Sequence, residues 1–373
     1  MLLPDLLNIF QWWITFFLIG IIFIPITNLL FPNFIDRGYV FAKIIGIALI
    51  SYAVFVLGFL RILPFETQNV FLIVGIFILI NFFILKKIPL SNIKLKSMLP
   101  IFVLEEFIFI LILLLWSFIH AHQPQIHGLE KYMDFGFINS ILRAEYFPPK
   151  DMWLTPFYIN YYYFGHLTTA VLTKLSFLPS AVTFNLVLAT ISALSFVSAF
   201  SIGANLLFKL NAKRYTLYAG GLITAFILNF AGNLHTIYLF FKPYQNENPV
   251  PFWQLIFSPL TFPNSYWYPN ATRFIENTIH EFPLYSSVVS DLHGHFLDVP
   301  FVLLTIALLL NILISKSLNI FKLLLLAFLL AVMYMTNAWD GLIYLLLTAI
   351  VIFTIRLKSA TKNKKYILHT TYY

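Results

Sequence analysis

Residues 155–175 read "TPFYINYYYFGHLTTAVLTKL", an apolar run with four tyrosines, an asparagine and a histidine at its mouth. Whether this run crosses a membrane decides on which face everything after it lies. A helix needs about 20 mostly apolar residues to span the hydrocarbon core. Nine other runs satisfy that need, at about 7–31, 39–63, 68–86, 98–121, 181–208, 215–241, 298–316, 318–336 and 340–357. The composition agrees, with 60% hydrophobic and only 10% charged residues, where a soluble domain carries roughly 25% charged. The sequence therefore predicts an all-α, polytopic transmembrane helical bundle with about nine full spans, in contact with membrane lipid. The N-terminal "MLLPDLLNIFQWW" lacks a basic region and a small-residue cleavage site, so it reads as a retained span.

Lys and Arg in short loops mark the cytoplasmic side. The basic clusters are "KKIPLSNIKLKS" with Lys86, Lys87, Lys94 and Lys96, "KLNAKR" with Lys209, Lys213 and Arg214, and "RLKSATKNKK" from Arg356 to Lys365. All agree on one face only if 157–175 stops short of a full crossing. Amphipathic aromatic rings favour the interface, so 157–175 is expected to be a juxtamembrane or re-entrant helix. On that topology the loops 122–156 and 242–297 and the turn "TNAWDG" at 336–341 lie outside the cell. Every histidine except His369 lies at or near that face. The formal charge of +8 is explained by the orienting clusters, which argues against a nucleic-acid partner.

The external loops hold the residues that could carry chemistry. Glu130 and Asp134 are spaced i, i+4, on one face if the segment is helical; they could divide base and support roles, share a metal, or be solvated surface acids. Asp291, His293 and His295 alternate and would face one way in an extended strand, a usual ligand set for a divalent metal ion. The bland alternative is interfacial histidines bonded to backbone or water. With no cysteine in the chain, any metal must use His, Asp or Glu. Arg143, Lys150 and Arg273 could hold an anionic group or contact lipid headgroups. Glu105 and Glu106 read as interfacial carboxylates, and Asp298 as a boundary charge at the start of a span.

Several separated strings together resemble a known family. "EKYMDFGFINSILRAEYFPPKDMWL", "INYYYFGH", "IHEFPLYSSVVSDLHGHFLDVPF" and "TNAWDG" resemble, in the same order over about residues 120–345, the YYY family of multi-pass membrane proteins of archaea and bacteria. That family is grouped with the GT-C superfamily of integral-membrane glycosyltransferases. The resemblance implies a GT-C-like core with an acidic motif in an external loop, followed by an aromatic-rich amphipathic helix lying along the membrane. It implies transfer of a sugar from a polyprenyl-phosphate donor to an acceptor, with inversion, at an external face of a prokaryotic cell membrane. Carried over by position, Asp134 would be the general base and Glu130 its partner or a metal ligand. Arg143 or Arg273, or a divalent metal on Asp291, His293 and His295, would face the lipid phosphate. Asn160, Tyr161, Tyr162, Tyr163 and His166 would line the donor entrance.

Superfamily members usually place the acidic loop after the first span; here it follows the fourth. The expected organisation is thus three additional helices and a basic loop at 1–97, a core at 98–357, and a basic tail at 358–373. Relatives tend to continue through further spans, so truncation at the C-terminus is expected. The competing readings are a transporter or lipid flippase with an external acid/histidine site, and a metal-dependent membrane hydrolase.

Overall fold

The computed structural model describes residues 3–87, 95–232, 272, 277–315 and 318–370. Its helices are α1 (Leu3–Leu30), α2 (Tyr39–Phe59), α3 (Thr67–Lys87), α4 (Leu95–His120), α5 (Lys131–Arg143), α6 (Phe164–Ser176), α7 (Ser180–Lys209), α8 (Arg214–Phe230), α9 (Pro283–Val289), α10 (Gly294–Ser315), α11 (Ile320–Thr336) and α12 (Ala338–Thr370). Among the described residues the β-structure is confined to one isolated bridge, Lys150 with Tyr158. α1, α2, α3, α4, α7, α10 and α12 contain stretches long and apolar enough to cross a membrane. α11 is apolar but only 17 residues long, and α8 has 17 residues and ends at Phe230, capped by Ala231, residues 233–241 of the expected 215–241 run lying outside the described residues.

α7 is the central post. Nearly all of its apolar window is buried (94%), against 11% for α12 and 17% for α3, so α12 and α3 present their side chains to lipid. α7 can be enclosed because it carries small side chains such as Ser192, Ser195 and Ser198, all buried, which let neighbouring backbones approach in a bilayer. Its crossing with α8 depends on glycine. A Cβ on Gly203 would collide with Thr224 Oγ1, and one on Gly221 would lie 2.8 Å from the Phe200 carbonyl oxygen. The first three helices belong to the same core, since Trp12 Nε1 donates to Thr190 Oγ1 of α7 at 2.7 Å.

The expected 157–175 helix begins later and lies deeper. Residues 157–163 are extended or irregular, and α6 starts at Phe164. With 13 residues it is about 20 Å long, too short to cross. Both of its ends stay at one end of the bundle: Gly165 abuts Leu297 and Thr336, while Lys174 sits over the Phe65 ring between α2 and α3. All of its residues except Lys174 are buried, so its immediate surroundings are protein.

The lysines that close α3 and α7 lie at the opposite end. α3 starts beside Phe65, whose N–H donates to the Glu145 carbonyl at 2.7 Å, and ends at Lys86 and Lys87. α7 ends near the α1–α2 turn, where Asn205 Nδ2 donates to Asp36 Oδ1 at 3.1 Å. Glu105 and Glu106, expected as interfacial carboxylates, are both packed against protein. Glu105 is buried. Glu106, about 17 Å along α4 from Leu95, pairs with Lys43 and accepts hydrogen bonds from Trp13 Nε1 at 2.7 Å and Tyr39 Oη at 2.8 Å. A charge placed at that depth needs such partners.

Candidate functional site

α5 carries the acidic motif. Glu130 is its N-cap residue and Asp134 sits in its first turn, where a carboxylate is favoured by the helix dipole. The two acids do not act as a pair. Asp134 points inward and is fully buried, with Oδ1 2.9 Å from His166 Nε2 in α6. Glu130 is 54% exposed, with Oε2 3.2 Å from His293 Nε2. Each carboxylate has taken its own histidine. Asp134 Oδ2 and His166 Nδ1 are buried with no hydrogen-bond partner among the described residues, and the Phe137 ring packs edge-on against His166.

The second acidic and histidine-bearing segment comes back onto the first through α9. Pro283 opens this short helix and Ser290, at φ 59°, closes it in the left-handed region. The turn returns the chain so that His295 Nε2 lies 2.8 Å from Glu281 Oε2. Residues 291–295 are not a strand, because α10 begins at Gly294. One ligand-type atom from each of Glu281, His293 and His295 lies within 4.8 Å of the others. Glu281 thus stands where the sequence reading had put Asp291. Gly294 allows this arrangement: a Cβ there would be 2.6 Å from the Tyr162 ring and 2.7 Å from the Thr336 carbonyl oxygen.

Asp291 is nonetheless part of the cluster. Burial, then the charges of Asp134, Glu281 and Glu130, push its carboxyl up to about 7. Lys131, which opens α5, is buried; burial lowers its ammonium below the usual value, with Asp291 opposing. Burial tends to raise Glu281, but the hydrogen bond and charge of His295 and the charge of His293 outweigh it and hold the carboxyl below its usual value. His120 Nε2 lies 2.9 Å from the Ser287 carbonyl oxygen, tying the end of α4 to α9.

The tyrosines form the wall beside these acids. Tyr161 Oη donates to Tyr162 Oη at 2.7 Å and lies 3.2 Å from His293 Nε2. Burial, followed by Tyr162 and the nearby acids, raises the Tyr161 phenol above its usual range, and burial pushes Tyr163 up to about 12. Asn160, Tyr161, Tyr162 and Tyr163 line a cavity of about 410 Å³ with Phe55, Tyr334 and Met335. His166, expected in that wall, is not part of the lining and instead pairs with Asp134.

Arg143 is placed elsewhere. It ends α5, about 14 Å along the helix from Asp134, and with Arg61 and Lys150 lines a separate cleft of about 740 Å³. Arg273 lies outside the described residues. Asp298 is no boundary charge: it is fully buried in α10, beside Asp340. Sequence reasoning missed Glu281 and Lys131. The "FP" step after Glu281 was the available signal, since proline opens a helix readily and a short helix folds the chain back; nothing in the local text marks Lys131 as buried.

A family model described as an uncharacterized membrane protein (DUF2298) matches residues 49–372. No curated protein and no solved structure matches the chain.

Proposed function

The chain belongs to the DUF2298 family of uncharacterized membrane proteins, and from its site we propose that it is an integral-membrane glycosyltransferase. It takes a sugar from a polyprenyl-phosphate donor and passes it to a hydroxyl acceptor on the non-cytoplasmic face of a prokaryotic membrane. The resemblance to the YYY family and its GT-C-like arrangement belong to this reading. The observation that carries it is the buried Asp134–His166 pair, linked through the Phe137 ring to Tyr161, which lines a cavity of about 410 Å³. The second wall of that cavity comes from α2 and α11, through Phe55, Tyr334 and Met335. Aromatic faces suit both sugar rings and prenyl chains. The basic clusters at the opposite end support an outward-facing site.

In this mechanism His166 holds Asp134 by Oδ1 and leaves Oδ2 to accept the acceptor's proton. The hydroxyl oxygen then bonds to the anomeric carbon from the side opposite the lipid phosphate. The carbon–oxygen bond to phosphate breaks, its electron pair leaving with the polyprenyl phosphate, and the configuration inverts. Because Asp134 is covered, the acceptor must displace part of the tyrosine wall to reach it. Lys131 offers positive charge near the acids, and Arg143 with Arg61 and Lys150 offers an anchor for lipid phosphate in the adjoining cleft. The test is release of polyprenyl phosphate from a panel of polyprenyl-phosphate sugars in proteoliposomes. Asp134→Asn keeps the side chain's shape and is expected to cut the rate by about 100-fold or more. A wild-type rate in that variant sinks the role given to Asp134.

One observation favours a transporter or lipid flippase as the second reading: the ion pair between buried Lys43 and largely covered Glu106, the kind of intramembrane ion pair that coupled carriers use. Proteoliposome uptake that depends on Glu106 and not on Asp134 would select it.

A further inference from the structure

We propose that Glu281, His293 and His295 form a binding site for a divalent cation of the zinc type, with a coordination position left open toward Glu130. One ligand atom from each lies within 4.8 Å of the other two, and small movements would bring all three to the roughly 2.0–2.2 Å that zinc requires of imidazole nitrogen and carboxylate oxygen. Two imidazoles and one carboxylate are the ligand set of open zinc centres, whereas oxygen-rich sites suit magnesium and calcium. Glu130 Oε2, 3.2 Å from His293 Nε2, stands where a fourth ligand or a bound water would be held.

The surroundings are suited to a cation. Glu130 Oε2 lies 3.2 Å from His293 Nε2 and Glu281 Oε2 lies 2.8 Å from His295 Nε2, so two carboxylates converge on the two histidines, and a divalent ion would offset their repulsion. The trio is also reachable, with Glu281, His293 and His295 exposed at 23%, 26% and 32%. A bound ion would join the α5 segment to the α9–α10 segment through Glu130. The proposal does not depend on glycosyl transfer, because its readout is metal binding.

The experiment uses the full chain purified in detergent, stripped with a chelator and titrated with Zn²⁺ against a chromophoric zinc indicator, with metal content measured by mass spectrometry. Wild type, Asp134→Asn and the control His122→Ala are expected to hold about one zinc per chain, following the one-site geometry. Glu281→Gln and His295→Ala are expected to bind at least about 10-fold more weakly, as loss of a ligand implies. Gel filtration and tryptophan fluorescence report whether each variant folds. If one does not, the Co²⁺ spectrum of the wild type decides: intense tetrahedral bands support the site, and weak octahedral bands overturn it. Wild type that holds no more zinc than a His293→Ala/His295→Ala double variant also overturns it, as do folded Glu281→Gln and His295→Ala proteins that bind like wild type.

Discussion

One helical turn separates Glu130 from Asp134, yet the first faces solvent and the second is sealed inside the bundle. Spacing alone put them on one face; the partner each found was a matter of which segment packed over it. His166 came from α6 and His293 from the turn before α10. A buried ionisable pair loses most when a single member is removed, because the survivor is stranded. His166→Ala should therefore lower stability by about 3 kcal/mol or more, read as a fall in the thermal unfolding midpoint in detergent. His166→Gln, which keeps a donor for Asp134 Oδ1, should recover part of that. Equal midpoints for wild type and both variants would mean that the pair contributes nothing to the fold. The candidate acids and histidines were legible as residues because ionisable groups stand out in so apolar a chain. Glu281 and Lys131 were not, because their roles follow from a fold-back and from burial that adjacent residues do not encode.

At the level of elements, the apolar runs were legible and their ends were not. Helix α6 shows why. Its tyrosines are amphipathic and suit an interface, but Tyr161 and Tyr162 are held by each other and by His293, and the helix after them is enclosed by α2, α7, α10 and α11. Hydropathy reports that a segment leaves water; it does not distinguish lipid from protein as the new surroundings. The α7–α8 crossing makes the same point in reverse. Gly221 looks like any glycine in the text, but a Cβ there would meet the backbone oxygen of Phe200 at 2.8 Å, whereas one on Gly75 would meet nothing within 4 Å. Gly221→Ala should cost about 1–3 kcal/mol through overpacking. Gly75→Ala should be neutral or stabilising by up to about 1 kcal/mol. Thermal melts of the two variants side by side check this, and a similar response from both would argue that the crossing is looser than described.

For the whole molecule, Glu130, Asp134, Asp291 and the paired histidines share one end of the bundle, while the lysines that close α3 and α7 lie at the other. The absence of cysteine from the natural chain makes the orientation simple to measure with single introduced thiols. Tyr132→Cys, at a position 63% exposed at the acidic end, should react with a membrane-impermeant maleimide on intact cells. Lys213→Cys, exposed in the α7–α8 turn, should react only after permeabilisation. The reverse pattern would place the site in the cytoplasm and remove the external donor from the proposed reaction. Composition and the lengths of the apolar runs were sufficient to read a helical membrane protein, because the bilayer imposes one length and one polarity on anything that crosses it. The pairing of Asp134 with His166, of Glu130 with His293 and of Glu281 with His295 came only with folding. Those contacts join segments up to 163 residues apart along the chain, and their geometry depends on close approaches, such as that of Gly294 to Tyr162 and Thr336, which no local pattern of residues records.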